Sequence, residues 1–197
     1  RKESSAASDV YKRQALEEVK TRTQKLKGVF ISVWSTMQKL FHHYTDAALA
    51  IEEGELVARI GGIKLDKNLQ NAQVWKKIVK VQPLIEQRLL KEPHIGIFEV
   101  LAVEIHDSIF REHSQYANNF WHIDNIGALF GIIKGDTRCP MSQGMIVSLW
   151  DRLDNQNRLD WFGYIFSRRN GADATTREII LDQLIKTFQP DWVLPPD

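Results

Sequence analysis

The sequence predicts an α/β fold in which a five-stranded mixed sheet is flanked by helices. Three strand-like segments with short connections come first. Two more then alternate with segments of helical period, in the order βββ-α-β-α-α-β-α. The chain has 197 residues, of which 43% are hydrophobic. This length and composition are typical of one globular domain with a sizeable core.

The first three strands are predicted to form an antiparallel meander. They cover residues 40–46, 55–64 and 73–79, where aromatic and β-branched residues are frequent. Residues 47–55, which begin Ala-Ala-Leu-Ala, are predicted to form a loop or turn. Asp46 would therefore close the first strand.

Helices and strands alternate over the rest of the domain. A short helix is predicted to end at Pro93, and a longer helix over 96–113 has an apolar stripe at Ile97, Leu101, Ile105 and Ile109. Further strands are predicted over 118–124 and 159–166, and further helices over 126–133, 145–153 and 172–188.

The N-terminal segment is predicted to be foreign to the protein. Residues 4–14, SSAASDVYKRQ, resemble a translated sequencing-library adapter, so residues 1–14 are excluded from reasoning about the fold. A connector helix is expected over 15–39, the domain over 40–189 and a tail over 190–197. On this interpretation the chain is a fragment cut from a larger parent protein.

Charge and cysteine content exclude some classes of protein. The formal net charge is +1, and residues 1–14 contain four basic and two acidic residues, so the remainder carries about −1. Net charge therefore gives no support for nucleic-acid binding. The single cysteine excludes a disulfide framework, and no apolar stretch reaches the roughly 18 residues of a membrane span.

Four acidic residues stand on predicted apolar elements, where a solvated acid is not expected. They are Asp46 at the end of the first strand, Glu99 near the start of the long helix, Asp124 at the end of the fourth strand and Asp173 at the start of the last helix. Taken singly, each has a structural interpretation as a turn residue, a helix cap or an exposed helix position. Together they match two-metal phosphodiester chemistry, because hard divalent cations prefer carboxylate oxygens.

The residues around these acids form motifs. They are Tyr-Thr-Asp46-Ala, then Phe98-Glu99-Val-Leu-Ala102, then Ile123-Asp124-Asn125 with Gly-Ala-Leu and Ile-Lys134-Gly135 after it, and finally Asn170-Gly-Ala-Asp173 with Thr176-Arg177. In this order they resemble the ribonuclease H domain of reverse-transcriptase-bearing retroelements, over about residues 40–180.

The resemblance implies a ribonuclease H fold and cleavage of the RNA strand of RNA–DNA hybrids. It implies that two Mg²⁺ ions, or Mn²⁺, are bound by the catalytic acids Asp46, Glu99, Asp124 and Asp173. The expected partners are an RNA–DNA hybrid and an upstream reverse transcriptase domain, with no membrane.

Contacts with nucleic acid are expected near the motifs, since a hybrid is recognised through its phosphates, sugars and shape. The candidates are Asn125, Lys134, Arg168, Arg169 and Asn170.

The histidines, the cysteine and two tryptophans are expected to be non-catalytic. Adjacent strand residues point to opposite faces, so His42 and His43 would not share a metal. Structural or solvent-facing roles are expected for all six histidines, and Cys139 has no evident base nearby. Trp150 and Trp161 are expected in the core rather than as platforms for base stacking.

Two other functions stay open at the level of the sequence. No histidine lies between Trp161 and Asp173, where many members of the resembled family have one, and the turn predicted after Asp46 is not rich in Gly or Ser. The chain could be a catalytically decayed remnant that binds nucleic acid or has no activity. It could also be another nuclease or an integrase, because a fold does not determine a function.

Overall fold

The computed structural model describes residues 39–69, 71–87, 94–114, 116–156, 158–177, 185 and 189–196. The chain divides into units of residues 1–36 and 37–197, and every described residue belongs to the second unit. The predicted foreign segment and all but Lys39 of the predicted connector lie outside the described residues. The same holds for most of the helix predicted over 172–188.

The first three strands form the predicted antiparallel meander. β1 spans Leu40–Glu52, β2 spans Glu55–Asp66 and β3 spans Ala72–Lys80. β2 pairs antiparallel with both neighbours. Glu53 and Gly54 join β1 to β2 with φ of 51° and 84°, because a two-residue hairpin turn that matches the twist of the strands requires positive φ.

The loop predicted over residues 47–55 is wrong, because β1 continues through it. Ala47 to Glu52 pair with β2 residue by residue, from Ala47 opposite Ile60 to Glu52 opposite Glu55. Alanine is a poor strand former by itself, but strand preference depends on the neighbouring strand and on burial. Asp46 therefore lies in the middle of β1 and not at its end.

The remaining elements follow in nearly the predicted order. They are α1 (Gln82–Glu86), α2 (Ile95–Ser114), β4 (Asn118–Ile123), α3 (Ile126–Lys134), α4 (Pro140–Asp154), β5 (Leu159–Tyr164), a 3₁₀ turn (Ser167–Arg169), α5 (Asp173–Thr176) and β6 (Asp191–Trp192). The described helices include none that is long and apolar enough to cross a membrane.

Within the described residues the sheet has six strands, in the order β5-β4-β1-β2-β3-β6. β4 is parallel to β1, and β5 is parallel to β4. The predicted mixed sheet with flanking helices is therefore confirmed, with six strands instead of five. The additional strand, β6, uses two residues of the predicted tail to pair with β3, which covers an edge that would otherwise expose unpaired backbone groups.

α2 covers one face of the sheet, and its buried residues extend beyond the predicted stripe, of which Ile97 alone is buried. Its buried side chains include Glu99, Val103, His106 and Phe110. Leu101, Ile105 and Ile109 are only partly buried and pack at the margin of the core. Because α2 contacts β1 and β2 on one side and α4 on another, its buried surface is wider than one stripe. This width places Glu99 among apolar neighbours.

Two histidines form a hydrogen-bonded network inside this core. Trp75 Nε1 donates to His106 Nδ1 over 3.0 Å, and the second His106 nitrogen lies 2.9 Å from His43 Nδ1. His43 Nε2 then lies 3.0 Å from the side-chain oxygen of Asn119. Every ring nitrogen has a partner, as buried polar groups require.

α5 lies on the opposite face of the sheet, against β2. A Cβ atom at Gly61 would lie 2.2 Å from Thr175 Oγ1 and 2.9 Å from the Trp75 carbonyl oxygen. Only glycine allows this approach, since any side chain would displace α5. Ala174 of α5 packs with Ile63 and Val74 in a small apolar cluster on this face. Gly61 therefore determines how close Asp173 comes to the sheet.

Candidate active site

Three of the four predicted acids meet in the structure. Asp46 of β1, Glu99 of α2 and Asp124, which follows β4, each offer one carboxylate oxygen, and these oxygens all lie within 4.8 Å of one another. Asp173 lies outside this triplet, but its charge acts on Asp46 and Glu99. We refer to Asp46, Glu99, Asp124 and Asp173 together as the acid cluster.

The parallel pairing of β1 and β4 explains why Asp46 meets Asp124. Tyr44 is in register with His122. Asp46 follows Tyr44 by two residues, and Asp124 follows His122 by two residues. Side chains two residues apart on a strand point to the same face. The two aspartates therefore lie on the same face of the sheet, just beyond the last paired residues of β1 and β4, and α2 brings Glu99 to them.

Hydrogen bonds hold the start of α5 against β1. The hydroxyl of Thr176 donates to Asp46 Oδ2. Asn170 Nδ2 donates to the Thr45 carbonyl oxygen over 2.9 Å, and its side-chain oxygen accepts from the Ala172 amide at 3.2 Å. The bonds to β1 join residues that are more than 120 positions apart in the chain. They orient Asp46 and bring Asp173 beside it.

Burial raises the pKa values of three carboxyls in the acid cluster, those of Asp46, Glu99 and Asp173. It is the main cause that raises the pKa of Asp46 to about 7, with the charges of Asp173 and Asp124 adding to it. Burial and the charge of Asp46 raise the pKa of Glu99 to about 9, although the Ala47 amide donates a hydrogen bond to its carboxylate. Burial also raises the pKa of Asp173. Several carboxylates at this spacing cannot all be charged at neutral pH without a compensating cation.

Buried carboxylate oxygens that lack hydrogen-bond partners indicate which kind of cation the acid cluster would bind. Among the described residues, the buried side-chain atoms without a hydrogen-bond partner include Glu99 Oε2, Asp124 Oδ1 and Asp173 Oδ1. Buried polar atoms in native proteins almost always have a partner, and those that lack one within the protein often bind an ion. A site whose donors are all carboxylate oxygens suits a hard divalent cation such as Mg²⁺ or Mn²⁺. The residues present therefore fit a divalent-metal site.

The predicted nucleic-acid contacts fall into two groups. Lys134, Arg168 and Arg169 are exposed, and the two arginines form the 3₁₀ turn that follows β5. Asn125 caps α3, where its side-chain oxygen accepts from the Ala128 amide at 3.0 Å. Asn170 is buried, and both ends of its amide are used within the fold. The asparagines therefore shape the site, while the three basic residues are accessible to a ligand.

The histidines occupy the structural and solvent-facing positions that the sequence indicates. Burial lowers the pKa of His43 to about 3 and the pKa of His106 well below its usual value, so both rings are neutral in the core. His42 Nδ1 and His122 Nε2 lie 3.0 Å apart on the opposite face of the sheet. His94 and His113 are exposed.

The prediction that Trp161 lies in the core is wrong. Its side chain is 52% exposed, because it extends from the edge strand β5 on the face that α5 leaves uncovered. Trp150 is partly buried and packs against the core beside Phe162. Trp161 belongs to a set of rings on adjacent strands, which we call the aromatic row: His42, Tyr44, Phe120, His122 and Trp161.

Sequence reasoning missed both the aromatic row and the role of Thr176. Along β1, β4 and β5, residues of the aromatic row alternate with residues of the core. The sequence therefore contained the period of two that is typical of a strand with two different faces. Local alternation does not say which face of a strand a helix will cover. Thr176 belonged to the closing motif, but its bond to Asp46 depends on a contact 130 residues away.

Comparison with known proteins shows the fold. No family model matches the sequence, and no curated protein does. The chain is similar to the crystal structure of RNase H1 from Halobacterium salinarum NRC-1, with a TM-score of 0.52, 12% identity and coverage of 73% of this chain and 98% of that one. It is also similar to the N-terminal RNase H domain of Rv2228c from Mycobacterium tuberculosis, with a TM-score of 0.53, 8% identity and coverage of 76% and 98%.

A third similar structure is LC11-RNase H1, isolated from compost by a metagenomic approach. Its TM-score is 0.51 and its identity is 14%, with coverage of 74% of this chain and 97% of that one. The predicted ribonuclease H-like fold is therefore confirmed. At these identities the likeness concerns the fold, and the function has to be argued from the site.

Proposed function

We propose that this chain is a divalent-metal-dependent endonuclease that cleaves the RNA strand of RNA–DNA hybrids. The observation that supports this most directly is the meeting of Asp46, Glu99 and Asp124 from three separate elements, on a fold shared with proteins named as ribonucleases H. The buried carboxylate oxygens without partners support a metal site in the same place.

The acid cluster would hold two Mg²⁺ ions, which Mn²⁺ could replace. Ions bound there activate water and offset the charge that develops on the leaving oxygen. The reaction is a hydrolysis in which water adds to the phosphorus and the bond to the 3′ oxygen breaks. The products are a 3′-hydroxyl and a 5′-phosphate, and the leaving oxygen takes up a proton.

The residues around the acid cluster position it for this reaction. Thr176 fixes one oxygen of Asp46, and the Ala47 amide fixes one oxygen of Glu99. Asn170 joins the α5 segment to β1, so that Asp173 stays beside Asp46. A carboxylate held in one orientation loses less conformational freedom when it binds a cation.

Nucleic acid would be bound by the three exposed basic residues Lys134, Arg168 and Arg169. Arg168 and Arg169 follow β5, whose carboxyl end lies beside that of β4, and we propose that they contact phosphates. Lys134, at the far end of α3, would contact the sugar–phosphate backbone of the nucleic acid. Asn125 would contact the same backbone through its amide nitrogen. Asn170 would act by positioning the segment between the 3₁₀ turn and α5. Selection of the RNA strand would depend on its 2′-hydroxyls.

The decisive experiment is the Asp124→Asn variant of the full chain, assayed on an RNA–DNA hybrid with Mg²⁺ and with EDTA. We expect cleavage by the unaltered chain only with the metal, and loss of cleavage in the variant. Asp136→Asn is the matched control, because Asp136 is an exposed acid just beyond α3 and should not affect cleavage. Undiminished cleavage by Asp124→Asn would overturn the proposal.

Duplex DNA, duplex RNA and single-stranded RNA serve as further substrates. Cutting of another substrate in preference to the hybrid would indicate a different nuclease of the same fold. A folded chain that binds the hybrid but cuts nothing would indicate a decayed remnant.

The four motifs in order further support a retroelement reverse transcriptase as the parent protein. Sequencing the genomic locus tests this directly. We expect sequence that encodes a polymerase domain in the same reading frame upstream of residue 15, and its absence would contradict the retroelement origin.

A further inference from the structure

The open half of the sheet next to the acid cluster has an unusual side-chain composition. On the face where α5 covers β1, β2 and β3, the strands β4 and β5 have no covering helix among the described elements. The side chains there belong to the aromatic row, with Trp161 52% and Phe120 38% exposed. Large aromatic side chains usually bury most of their surface. Exposed rings also occur elsewhere on the described surface, at Tyr116 and Phe166, and here it is the position of the rings beside the candidate active site that points to a ligand.

The rings are held in a defined arrangement. The Tyr44 ring lies 4.4 Å from the His122 ring, with 15° between their planes. His122 is joined to His42 by a hydrogen bond of 3.0 Å. The Phe120 and Trp161 ring planes are within 14° of parallel, with centroids 6.5 Å apart. A ligand that stacks on such rings need not order them first, which lowers the entropic cost of binding.

A glycine leaves an open position in the aromatic row. Gly163 of β5 is in register with His122 and follows Trp161 by two residues, so it faces the same side of the sheet. A Cβ atom built at Gly163 would meet only the Trp121 carbonyl oxygen, at 3.9 Å. Side-chain positions on one face of a strand are spaced by roughly 6.6 Å. The result is an open slot with Trp161 at one end and His122 along one side.

This slot leads to the acid cluster. Asp124 lies two residues beyond His122, and Asp46 two residues beyond Tyr44, on the same face of the sheet. The exposed Arg168 and Arg169 follow β5 at the same end. Flat rings, a slot and nearby basic residues match what sheet-based nucleic-acid binders use, in which aromatic side chains stack bases and cationic side chains contact phosphates.

We propose that the aromatic row and the slot at Gly163 bind unpaired bases of a single strand that extends from the nucleic acid in the acid cluster. This proposal rests on the proposed function, since it names a further part of the same substrate. From Phe120 to Asp124 the strand spans roughly 13 Å, a length suited to two or three bases. A stable protein partner fits less well, because such interfaces use roughly 20–30 residues a side, and the row has five.

The test measures binding of three kinds of RNA–DNA hybrid to the full chain with Ca²⁺ in place of Mg²⁺. One hybrid is blunt, one has three unpaired nucleotides and one has three abasic nucleotides, with each overhang tested at both ends of both strands. We expect at least one overhang with bases to bind roughly fivefold or more tightly than the blunt hybrid, because stacking on an aromatic ring contributes about that much per base. The abasic overhang should give no such gain.

Single substitutions test whether the Trp161 ring and the slot at Gly163 bind the unpaired bases. Trp161→Ala should remove the gain, Trp161→Phe should keep most of it, and Gly163→Leu should remove it by filling the slot. Trp192→Ala is the matched control, because Trp192 is 47% exposed on β6 at the other edge of the sheet. Circular dichroism verifies that each variant is folded.

Each outcome decides the proposal. Equal binding of the blunt and base-bearing hybrids, an equal gain from the abasic overhang, or a gain that survives in both Trp161→Ala and Gly163→Leu would overturn it. So would a dimer of the unaltered chain that Trp161→Ala dissociates, since the face would then join two copies. If the hybrid is cut but no overhang adds affinity, only this inference fails. If a free single strand binds through Trp161 and no hybrid is cut, only the proposed nuclease function fails.

Discussion

The hydroxyl of Thr176 donates a hydrogen bond to Oδ2 of Asp46, which joins α5 to the middle of β1. This bond lowers the pKa of Asp46 and opposes the larger effect of burial, which raises that pKa to about 7. Thr176 thus helps to keep Asp46 in the charged form that a cation requires, and it does so from the helix turn that also carries Asp173.

The Thr176→Val variant should therefore bind divalent metal more weakly. Loss of the hydroxyl raises the pKa of Asp46 further, so the acidic limb of the rate–pH profile should move to higher pH. Metal affinity at pH 7 should fall roughly tenfold, the lower end of what the loss of a partner to a metal-binding residue usually costs. Isothermal titration with Mn²⁺ and a pH–rate profile measure the two effects.

Thr175→Val is the control for this change. Thr175 Oγ1 donates to the Ala172 carbonyl oxygen instead of to an acid of the cluster, and valine keeps the shape of the side chain beside Gly61. An unchanged pH profile in Thr176→Val, or the same shift in Thr175→Val, would contradict the role assigned to Thr176.

The stability of the metal-free protein should fall as pH rises above neutrality. The folded-state pKa values of Asp46 and Glu99, about 7 and about 9, lie above those of the unfolded chain. On these two groups the folded state therefore holds more protons between roughly pH 4 and 9, and their contribution to stability decreases as pH rises across that range. Deprotonation of both groups in an empty site leaves adjacent buried charges.

Mg²⁺ should reverse this trend, because it binds the deprotonated acids of the folded state. The gain in melting temperature on adding Mg²⁺ should grow from pH 6 to pH 9, as measured by thermal denaturation against EDTA. In the Asp46→Asn/Glu99→Gln variant both the pH trend and the metal effect should be small. A metal-induced gain that is constant with pH would contradict the assignment.

The buried imidazoles of His43 and His106 should both be neutral and protonated at Nε2. Trp75 donates to His106 Nδ1, so the His106 proton is on Nε2 and points to His43 Nδ1, and the His43 proton then points to Asn119. Nitrogen-15 NMR should show this tautomer for both rings and no protonation down to pH 5. A cationic ring, or a proton on either Nδ1, would contradict the network.

The same network should make folding sensitive to acid. The folded-state pKa of His43, about 3, lies below that of the unfolded chain. The unfolded state therefore holds more protons between roughly pH 3 and 6.5, and this contribution to stability is lost as the pH falls through that window. The acid cluster acts in the opposite direction there. The effect should therefore appear most clearly in the Asp46→Asn/Glu99→Gln background, as a free energy of unfolding that declines below pH 6.

Gly61→Ala should damage the site, and Gly144→Ala should not. The methyl group at Gly61 would lie 2.2 Å from Thr175 Oγ1 and 2.9 Å from a backbone oxygen, whereas a methyl group at Gly144 meets nothing within 4 Å. Overpacking costs roughly 1–3 kcal/mol of stability. Movement of α5 away from β2 relieves the contact with Thr175, and the same movement carries Asp173 and Thr176 away from Asp46. Gly144 lies inside α4, where alanine should stabilise the fold by up to about 1 kcal/mol.

Urea denaturation and Mn²⁺ titration of both glycine variants provide the measurement. Gly61→Ala should lose both stability and metal affinity, and Gly144→Ala should lose neither. Metal affinity that is unchanged in Gly61→Ala would show that the approach of α5 does not position the acids.

Local pattern was enough for most of the architecture. The meander, the long helix and the positions of Glu99, Asp124 and Asp173 at element ends follow from hydrophobic period and turn residues, which act over a few neighbours. The same reasoning failed for residues 47–52, where alanines form a strand because β2 lies beside them. It also failed for Trp161, whose alternation in β5 fits either face of the sheet.

The sequence by itself predicted the class of fold, the order of its first five strands and of the helices among them, and the acids that would carry the candidate chemistry. Only the tertiary structure decided that Asp46, Glu99 and Asp124 converge, that Thr176 holds Asp46, and that Phe120 and Trp161 are exposed. The reason is physical. Helical and strand periods are set by contacts over a few residues, whereas strand register and helix docking join residues as far apart as 130 positions. The balance of packing over the whole sheet determines which face is covered.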